Sequence, residues 1–283
     1  MEWVRKNGKK SMEVVERMGV PFLVFPNLKA ENIVVHGFST RLGGVSEGIF
    51  SSMNLSFTRG DEEEHVWENY ARIGKAIGFG CENMVLSAQT HTTNIRVVTE
   101  EDRGKGFVRP RDYTDVDGMV TNIPGMVLTT FYADCVPLFL VDPVHKAIGL
   151  SHSGWRGTVG KIGKHTVEVM EKEYGTRPEE LVVAIGPSIC KDCYEVGEDV
   201  IDAFRKVFDE EIWEELFYRK LNGKYQLDLW RANELIFEEA GLQPEQIVTT
   251  DLCTCCNPGL LFSHRASKGR RGNLGAFLML KED

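Results

Sequence analysis

The chain has 283 residues, with 33 Lys and Arg against 42 Asp and Glu, a formal net charge of −9 and a pI near 5.4. With 42% hydrophobic and 27% charged residues it has the composition of a globular protein, which excludes a disordered, collagenous or coiled-coil chain. The acidic balance argues against a non-specific nucleic-acid binder, whose phosphate contacts demand clustered Lys and Arg, and leaves the basic stretch from His264 to Arg271 with a narrower use or none.

No run of 18 apolar residues occurs, and the basic stretch from Arg5 to Lys10 is followed by Ser-Met-Glu-Val-Val-Glu rather than by an apolar signal core. The expectation is a chain neither secreted nor membrane-spanning, hence cytoplasmic. Seven cysteines without an export signal then read as thiols or metal ligands, not as a disulfide framework. The absence of a repeat, a low-complexity tract or a Pro/Ser-rich linker makes residues 1–283 one domain, with the first thirty residues as edge structure.

In chain order, β-branched or apolar runs predict strands over Pro21–Phe25, Ile33–Phe38, Asn94–Val98, Gly118–Thr121, Val127–Tyr132, Val136–Val141, Ala147–Ser151, Leu181–Ile185, Gln246–Thr250 and Ala276–Leu280. Asp61 is placed to cap a helix in which Val66, Tyr70, Ile73 and Ile77 share a face, ending at Gly78 or Gly80. A second helix is predicted from about Thr158 to Tyr174, with Ile162, Val169 and Met170 inward and Gly175 as C-cap. Two more fit Glu198–Phe217, with a break, and Leu229–Ala240. Strands in several contexts with helices between them give an α+β domain, helices on both sides of a mixed sheet.

Chemistry concentrates between Val127 and Gly157. Two apolar runs flank Asp142-Pro143-Val144-His145, a tight-turn sequence. Pairing Asp142 with His145 would set Cys135 directly opposite His152, with Cβ atoms roughly 4.5–5.5 Å apart and able to share a metal. A core thiol and a polar strand-end histidine would give the same pattern. His91, in Ser87-Ala-Gln-Thr-His-Thr-Thr-Asn, is a third candidate. A His2Cys set leaves a tetrahedral Zn²⁺ one open position for catalysis. Equally, His91 alone fits a satisfied loop histidine.

The Ser153-Gly-Trp-Arg-Gly-Thr-Val-Gly turn enters a helix, where free N–H groups and Arg156 suit an anion. Arg41 lies in a second glycine-rich loop that matches neither a P-loop nor a dinucleotide fingerprint. Cys190-Lys-Asp-Cys193 and Cys253-Thr-Cys255-Cys256 both read as C-x2-C, either two knuckles of a structural zinc site or buried thiols. Cys81 carries no pattern.

Taken together, His36-Gly-Phe-Ser-Thr-Arg-Leu-Gly-Gly-Val-Ser, Asn54-Leu-Ser, Gln89-Thr-His91, Asp117-Gly-Met-Val-Thr, Ala133-Asp-Cys135-Val-Pro, His152-Ser-Gly-Trp-Arg-Gly, Ile185-Gly-Pro-Ser-Ile, Cys193-Tyr-Glu-Val-Gly and Phe262-Ser-His-Arg265 resemble the YfiH/YlmD-type family. Its members were once labelled multicopper polyphenol oxidoreductases or laccases and are now regarded as zinc-dependent purine nucleoside phosphorylases. The pieces occur in the family's order from about residue 33 onward. The resemblance implies a single three-layer α/β/α domain with a mixed sheet, and His91, Cys135 and His152 as zinc ligands and catalytic residues. It further implies phosphorolysis of adenosine, inosine and S-methyl-5′-thioadenosine, with adenosine deamination besides. Arg41 would lie in the substrate or phosphate region and Arg265 would line the same pocket. After Phe-Ser-His-Arg the chain departs from the family's Asp-Gly-x-Thr-Gly-Arg, which leaves Arg270 and Arg271 without an assigned role.

Phosphorolysis needs phosphate held against the anomeric carbon and a stabilised leaving purine, work assigned here to Arg41 and the Gly-Trp-Arg-Gly helix start. Deamination needs an activated water and a proton shuttle, for which Asp134 and Asp117 are the nearest candidates. A turn or ladder-end hydrogen bond is the plainer use of Asp134. Three rivals stand beside this reading. A copper laccase would share the His2Cys core, but the His-x-His pairs of a three-copper cluster are absent among seven histidines. A cysteine-nucleophile hydrolase would use Cys135 activated by His152. A zinc-stabilised interaction module would use the metal for folding alone.

Overall fold

The seven residues Val136–Asp142 are all buried, and their alternation determines the layering of the computed structural model, which describes residues 2–6, 8 and 10–282. Leu138 and Leu140 point into a core shared with helices, whereas Phe139 and Val141 point into a core shared with another sheet. A strand buried on both faces must read as a continuous apolar run, as this one does.

One six-stranded sheet has the order Glu13–Arg17, Val20–Val24, Val34–Ser39, Leu274–Leu280, Val127–Tyr132 and Met84–Leu86, antiparallel except at the last pair. The other has the order Ile247–Thr249, Val182–Ile185, Val136–Asp142, Ala147–Ser153, Gly118–Thr121 and Ile95–Val97, parallel at both outer pairs. Leu128, Ala276 and Leu278 of the first sheet meet Phe139, Val141 and Leu150 of the second in one core. Helix Glu63–Ile77 lays Val66, Tyr70 and Ile73 on the outer face of the first sheet. Helices Ile162–Tyr174 and Leu229–Glu239 cover the outer face of the second with Ile162, Val167, Met170, Ile236 and Phe237. A three-stranded sheet of Glu195–Val196, Tyr225–Leu227 and Phe217–Arg219 stands at the side.

The fold is thus α+β with mixed sheets and outer helices, as expected from the sequence. The strands are shared between two facing sheets rather than gathered in one, so the order of layers is helix, sheet, sheet, helix. No helix among the described residues is long and apolar enough to cross a membrane. The stretch 1–30 supplies the two outer strands of the first sheet and the short helix Pro26–Ala30, and Met12, Leu23, Phe25 and Leu28 from it are buried. Met1, Asn7, Lys9 and Asp283 lie outside the described residues.

Three local expectations are corrected. The hairpin pairs Asp142 with Ala147, not His145, because the Asp142 carboxylate accepts the amides of Val144 and His145, each at 2.9 Å, and builds a four-residue turn. Pro137 is therefore opposite His152. A two-residue shift keeps every side chain on its face, so Cys135 remains on the His152 side as a diagonal neighbour. The helix expected over Thr158–Tyr174 is two, Trp155–Val159 and Ile162–Tyr174, broken where Lys161 adopts φ 57°. Asp61 does not cap its helix: Glu62 is the N-cap, and the Asp61 carboxylate binds Ser46 at 2.6 Å and Asn54 at 2.9 Å.

His36, in the middle of the first sheet, is buried and accepts the Phe25 amide on Nε2 at 2.8 Å. Burial, helped by the Lys29 charge, holds its pKa down to about 4. The unfolded chain accepts a proton near 6.5 that the native state resists, so stability is full above that value and drains as pH falls toward 4. The loss is expected to reach about 3 kcal/mol across this window. Urea denaturation at pH 7.5, 5.5 and 4.2 should show this slope in the wild type and a flatter one in His36→Asn; equal slopes would refute the assignment.

Candidate functional site

The Asp117 carboxylate, fully buried at the start of Gly118–Thr121, gathers a polar loop and a histidine. Its oxygens accept the consecutive amides of Thr90, His91 and Thr92 at 2.8, 3.1 and 3.1 Å. Three successive N–H groups around one anion make a nest, and here the nest holds His91 at φ 67°. A non-glycine residue pays roughly 1–2 kcal/mol for that left-handed conformation, which the carboxylate offsets. Asp117 Oδ1 also meets Nδ1 of His152 at 2.7 Å, leaving Nε2 as the histidine's free nitrogen. Burial opposes a charged carboxylate, but His152 and the nest amides outweigh it and hold Asp117 below the ordinary range.

Cys135 reaches the same point from the other side. It follows Asp134, which has φ 94° and is pinned three ways: its carboxylate accepts Thr254 Oγ1 at 2.6 Å and the Arg265 amide at 2.7 Å, and its carbonyl accepts the Ile189 amide at 3.0 Å. The Cys135 Sγ lies 4.0 Å from Nε2 of His91, and the rings of His91 and His152 have centroids 5.0 Å apart. One ligand atom from each of His91, Cys135 and His152 lies within 4.8 Å of the other two, close enough for one metal ion. Gly154 is what permits this closure. A Cβ there would stand 2.9 Å from His91 Cδ2 and 3.2 Å from Cys135 Sγ.

Burial alone would raise the Cys135 thiol, but His152 foremost, then His91, outweigh it and bring the thiol to about 6. Burial alone would lower His152, but the Cys135 and Asp117 charges raise it to about 9. At neutral pH the pair is therefore a thiolate and an imidazolium, a soft anion beside an imidazole that a divalent cation can deprotonate.

These three residues line a cavity of about 550 Å³, within the size range of small-ligand sites. Phe57, Tyr70, Phe131 and Tyr132 give it apolar surface, and the guanidinium-bearing residues in its wall are Arg59, Arg111 and Arg271. Arg271 has Nε buried without a hydrogen-bond partner. Its burial, with Arg59 nearby, lowers it to about 10, still charged at neutral pH. Its Nη1 donates to the Gly272 carbonyl at 3.2 Å and to Asn273 Oδ1, which fixes the guanidinium, and a half-buried guanidinium beside a second cation suits an anion.

The arginines named from the sequence stand elsewhere. Arg41 donates to the carbonyls of Ser51 and Pro258 and lies over the Phe262 ring, in a smaller hollow on the far side of Arg271. Arg156 lies over Trp155, 4.3 Å from the ring centroid. Arg265 donates to the carbonyls of Cys193 and Glu195. Asp117 and Asp134, considered as proton shuttles, have carboxylates taken up by the bonds above. Asp117 as anchor, Gly154 as spacer and Arg59 and Arg271 as wall cations were not read from the sequence; only the small residue after His152 and the basic run near 270 hinted at them.

Residues 35–281 match the family described as multi-copper polyphenol oxidoreductase laccase. The purine nucleoside phosphorylase YlmD of Bacillus subtilis is 37% identical over 254 residues, covering 88% of this chain and 89% of that one. An adenosine deaminase, RL5, from an unknown prokaryote is 34% identical over 233 residues, covering 82% and 88%. The crystal structure of the Bacillus licheniformis hypothetical protein YfiH superposes with a TM-score of 0.89 at 32% identity, covering 96% of this chain and all of that one.

Asp117→Ala would strand the His152 Nδ1–H and three loop amides. It is expected to lower the unfolding free energy by about 3 kcal/mol, the scale of one or two charge-assisted hydrogen bonds. Urea denaturation measures it, and a loss below about 1 kcal/mol would mean that the His91 loop is held by other contacts.

Proposed function

This chain belongs to the multi-copper polyphenol oxidoreductase laccase family, and we propose that it is a purine nucleoside phosphorylase. It would cleave adenosine, inosine or S-methyl-5′-thioadenosine with phosphate to the free base and the (methylthio)ribose 1-phosphate. Adenosine deamination would be a second activity of the same cavity. The observation that carries the reading is one cavity with His91, Cys135 and His152 in its wall together with Arg59, Arg111 and Arg271. Relatives named purine nucleoside phosphorylase and adenosine deaminase support it.

The donor set fits zinc. Two imidazoles and a thiolate are the ligands of catalytic zinc sites that keep a position open, and the Asp117–His152 pair is the outer partner that fixes a ligand's tautomer. His91, Cys135 and His152 would hold the ion. When bound, it would supply Lewis acidity toward a ligand oxygen or nitrogen. Copper would suit the same donors, but without His-x-His pairs the chain lacks the further copper centres of a multicopper oxidase.

In phosphorolysis a phosphate oxygen forms the new bond to the anomeric carbon as the bond to the purine nitrogen breaks, and the departing base takes the electron pair and then a proton. Arg271 and Arg59 would bind the phosphate and fix its direction of approach, so that attack becomes effectively intramolecular. Phe57, Tyr70 and Phe131 would exclude water from the base. Asp117 would keep Nε2 of His152 turned toward His91 and Cys135. A Cys135–His152 nucleophile pair is the competing chemistry, because the thiol is already ionised near neutral pH.

Purified, metal-quantified protein should release base from inosine or adenosine only when phosphate is present, with products separated by chromatography. Cys135→Ala should stay folded and fall by on the order of 100-fold or more in kcat/KM. Base release without phosphate, or activity that survives metal chelation and is lost on covalent labelling of Cys135, would favour the nucleophile instead. An unfolded Cys135→Ala would point to a metal serving structure alone. Arg271→Ala should raise KM for phosphate by about tenfold to a hundredfold, equivalent to ~1.5–3 kcal/mol for a charge-assisted bond, with less effect on KM for the nucleoside. An unchanged phosphate KM would remove Arg271 from the site.

A further inference from the structure

We propose that Cys190, Cys193, Cys253 and Cys256 form a second, structural metal site that takes one Zn²⁺ through four thiolates. The site is separate from the cavity and would stand whether or not the proposed reaction does.

The two strands Val182–Ile185 and Ile247–Thr249 are parallel neighbours, and the loops that leave their ends run side by side, joined again where Ser188 pairs with Cys253. Each loop carries one C-x2-C pair, and the pairs meet in matched order. The amide of Cys190 donates to Cys253 Sγ at 3.3 Å, and the Sγ atoms of Cys193 and Cys256 are 3.5 Å apart. All four Sγ atoms lie within 4.8 Å of one another. In a tetrahedral Zn–S4 site with bonds of ~2.3 Å the sulfurs are about 3.8 Å apart, so the cluster needs only a small adjustment.

The amide of Cys193 donates to the carbonyl of Cys190 at 3.0 Å, so the backbone itself closes the first of the two turns. Cys190 and Cys253 are buried and Cys193 and Cys256 half-buried. Four Zn–S bonds would replace the thiol protons, which pass to solvent, with no change of oxidation state. Lys6, 3.1 Å from Asp192, is close enough to Cys190 and Cys256 to balance the remaining negative charge.

The site's purpose is visible in what the two loops hold. Ile189 and Thr254 bond Asp134, which precedes Cys135, and the carbonyl of Cys193 accepts from Arg265, whose own amide also binds Asp134. Clamping the loops therefore fixes the backbone that aims Cys135. Cys255 is not one of the four.

The test is zinc per chain, measured by mass spectrometry on protein purified under reducing conditions. The double variant C193S/C256S should hold one zinc ion fewer than wild type, Cys255→Ser should hold as many as wild type, and Cys135→Ala should keep the ion in question. Equal zinc in wild type and the double variant, or loss of the ion in Cys255→Ser, would overturn the assignment. So would titration of fewer than seven thiols in denatured wild type, since that would reveal disulfides. If the double variant does not fold, cobalt-loaded Cys135→Ala settles the question. That protein has no thiolate left at the first site, so a sulfur-to-cobalt charge-transfer band must come from the four cysteines, and its absence would refute the site.

Discussion

Two of the three candidate ligands in the cavity depend on one buried carboxylate. Asp117 is surrounded by three loop amides and an imidazole, and each of these partners carries or adjoins a group that must face the cavity. A buried anion without partners would cost several kcal/mol, so folding completes only when the loop 90–92 and the strand Ala147–Ser153 are both in place around it. Two candidate ligands far apart in sequence are thereby positioned by a single oxygen pair. The third, Cys135, is positioned by a second buried carboxylate, Asp134, in the same manner.

The two-sheet architecture explains why such carboxylates can be used. The strands Val127–Tyr132, Gly118–Thr121 and Ala147–Ser153 are buried in a shared core, which makes their backbones rigid. The candidate site lies where strands end: Asp117 before one, His152 near the end of another, Cys135 in the turn joining the first sheet to the second. Left-handed backbone at His91 and Asp134 belongs to the same economy, since strain is tolerated where several hydrogen bonds over-determine it.

Much of this was legible in the sequence. Long apolar runs such as Val127–Tyr132 and Gly118–Thr121 have the bounds read from periodicity, because burial on both faces leaves no ambiguity of register with solvent. The short strands Met84–Leu86, Phe217–Arg219 and Tyr225–Leu227 were not, since three residues hold no period and exist only through their partners. The hairpin shows the limit well. Its turn residues were recognised, but the loop length depended on the Asp142 side chain capping two amides, a contact invisible to pattern. The His91, Cys135 and His152 grouping came from spacing and family resemblance together; the place of Arg271 in the cavity wall could not, because it depends on tertiary packing that is not written in residue order.

The position of Leu274–Leu280 carries one more consequence. This strand lies in the interior of its sheet, bonded to Val34–Ser39 on one side and Val127–Tyr132 on the other, yet it is the last of the six to be synthesised. Val34–Ser39 and Val127–Tyr132 therefore each keep an unpaired edge until this strand enters between them. Closure of that gap is a late, long-range event, slow by topology and open to mispairing until it happens. Of the three arginines in the cavity wall, Arg271 alone immediately precedes this closing strand.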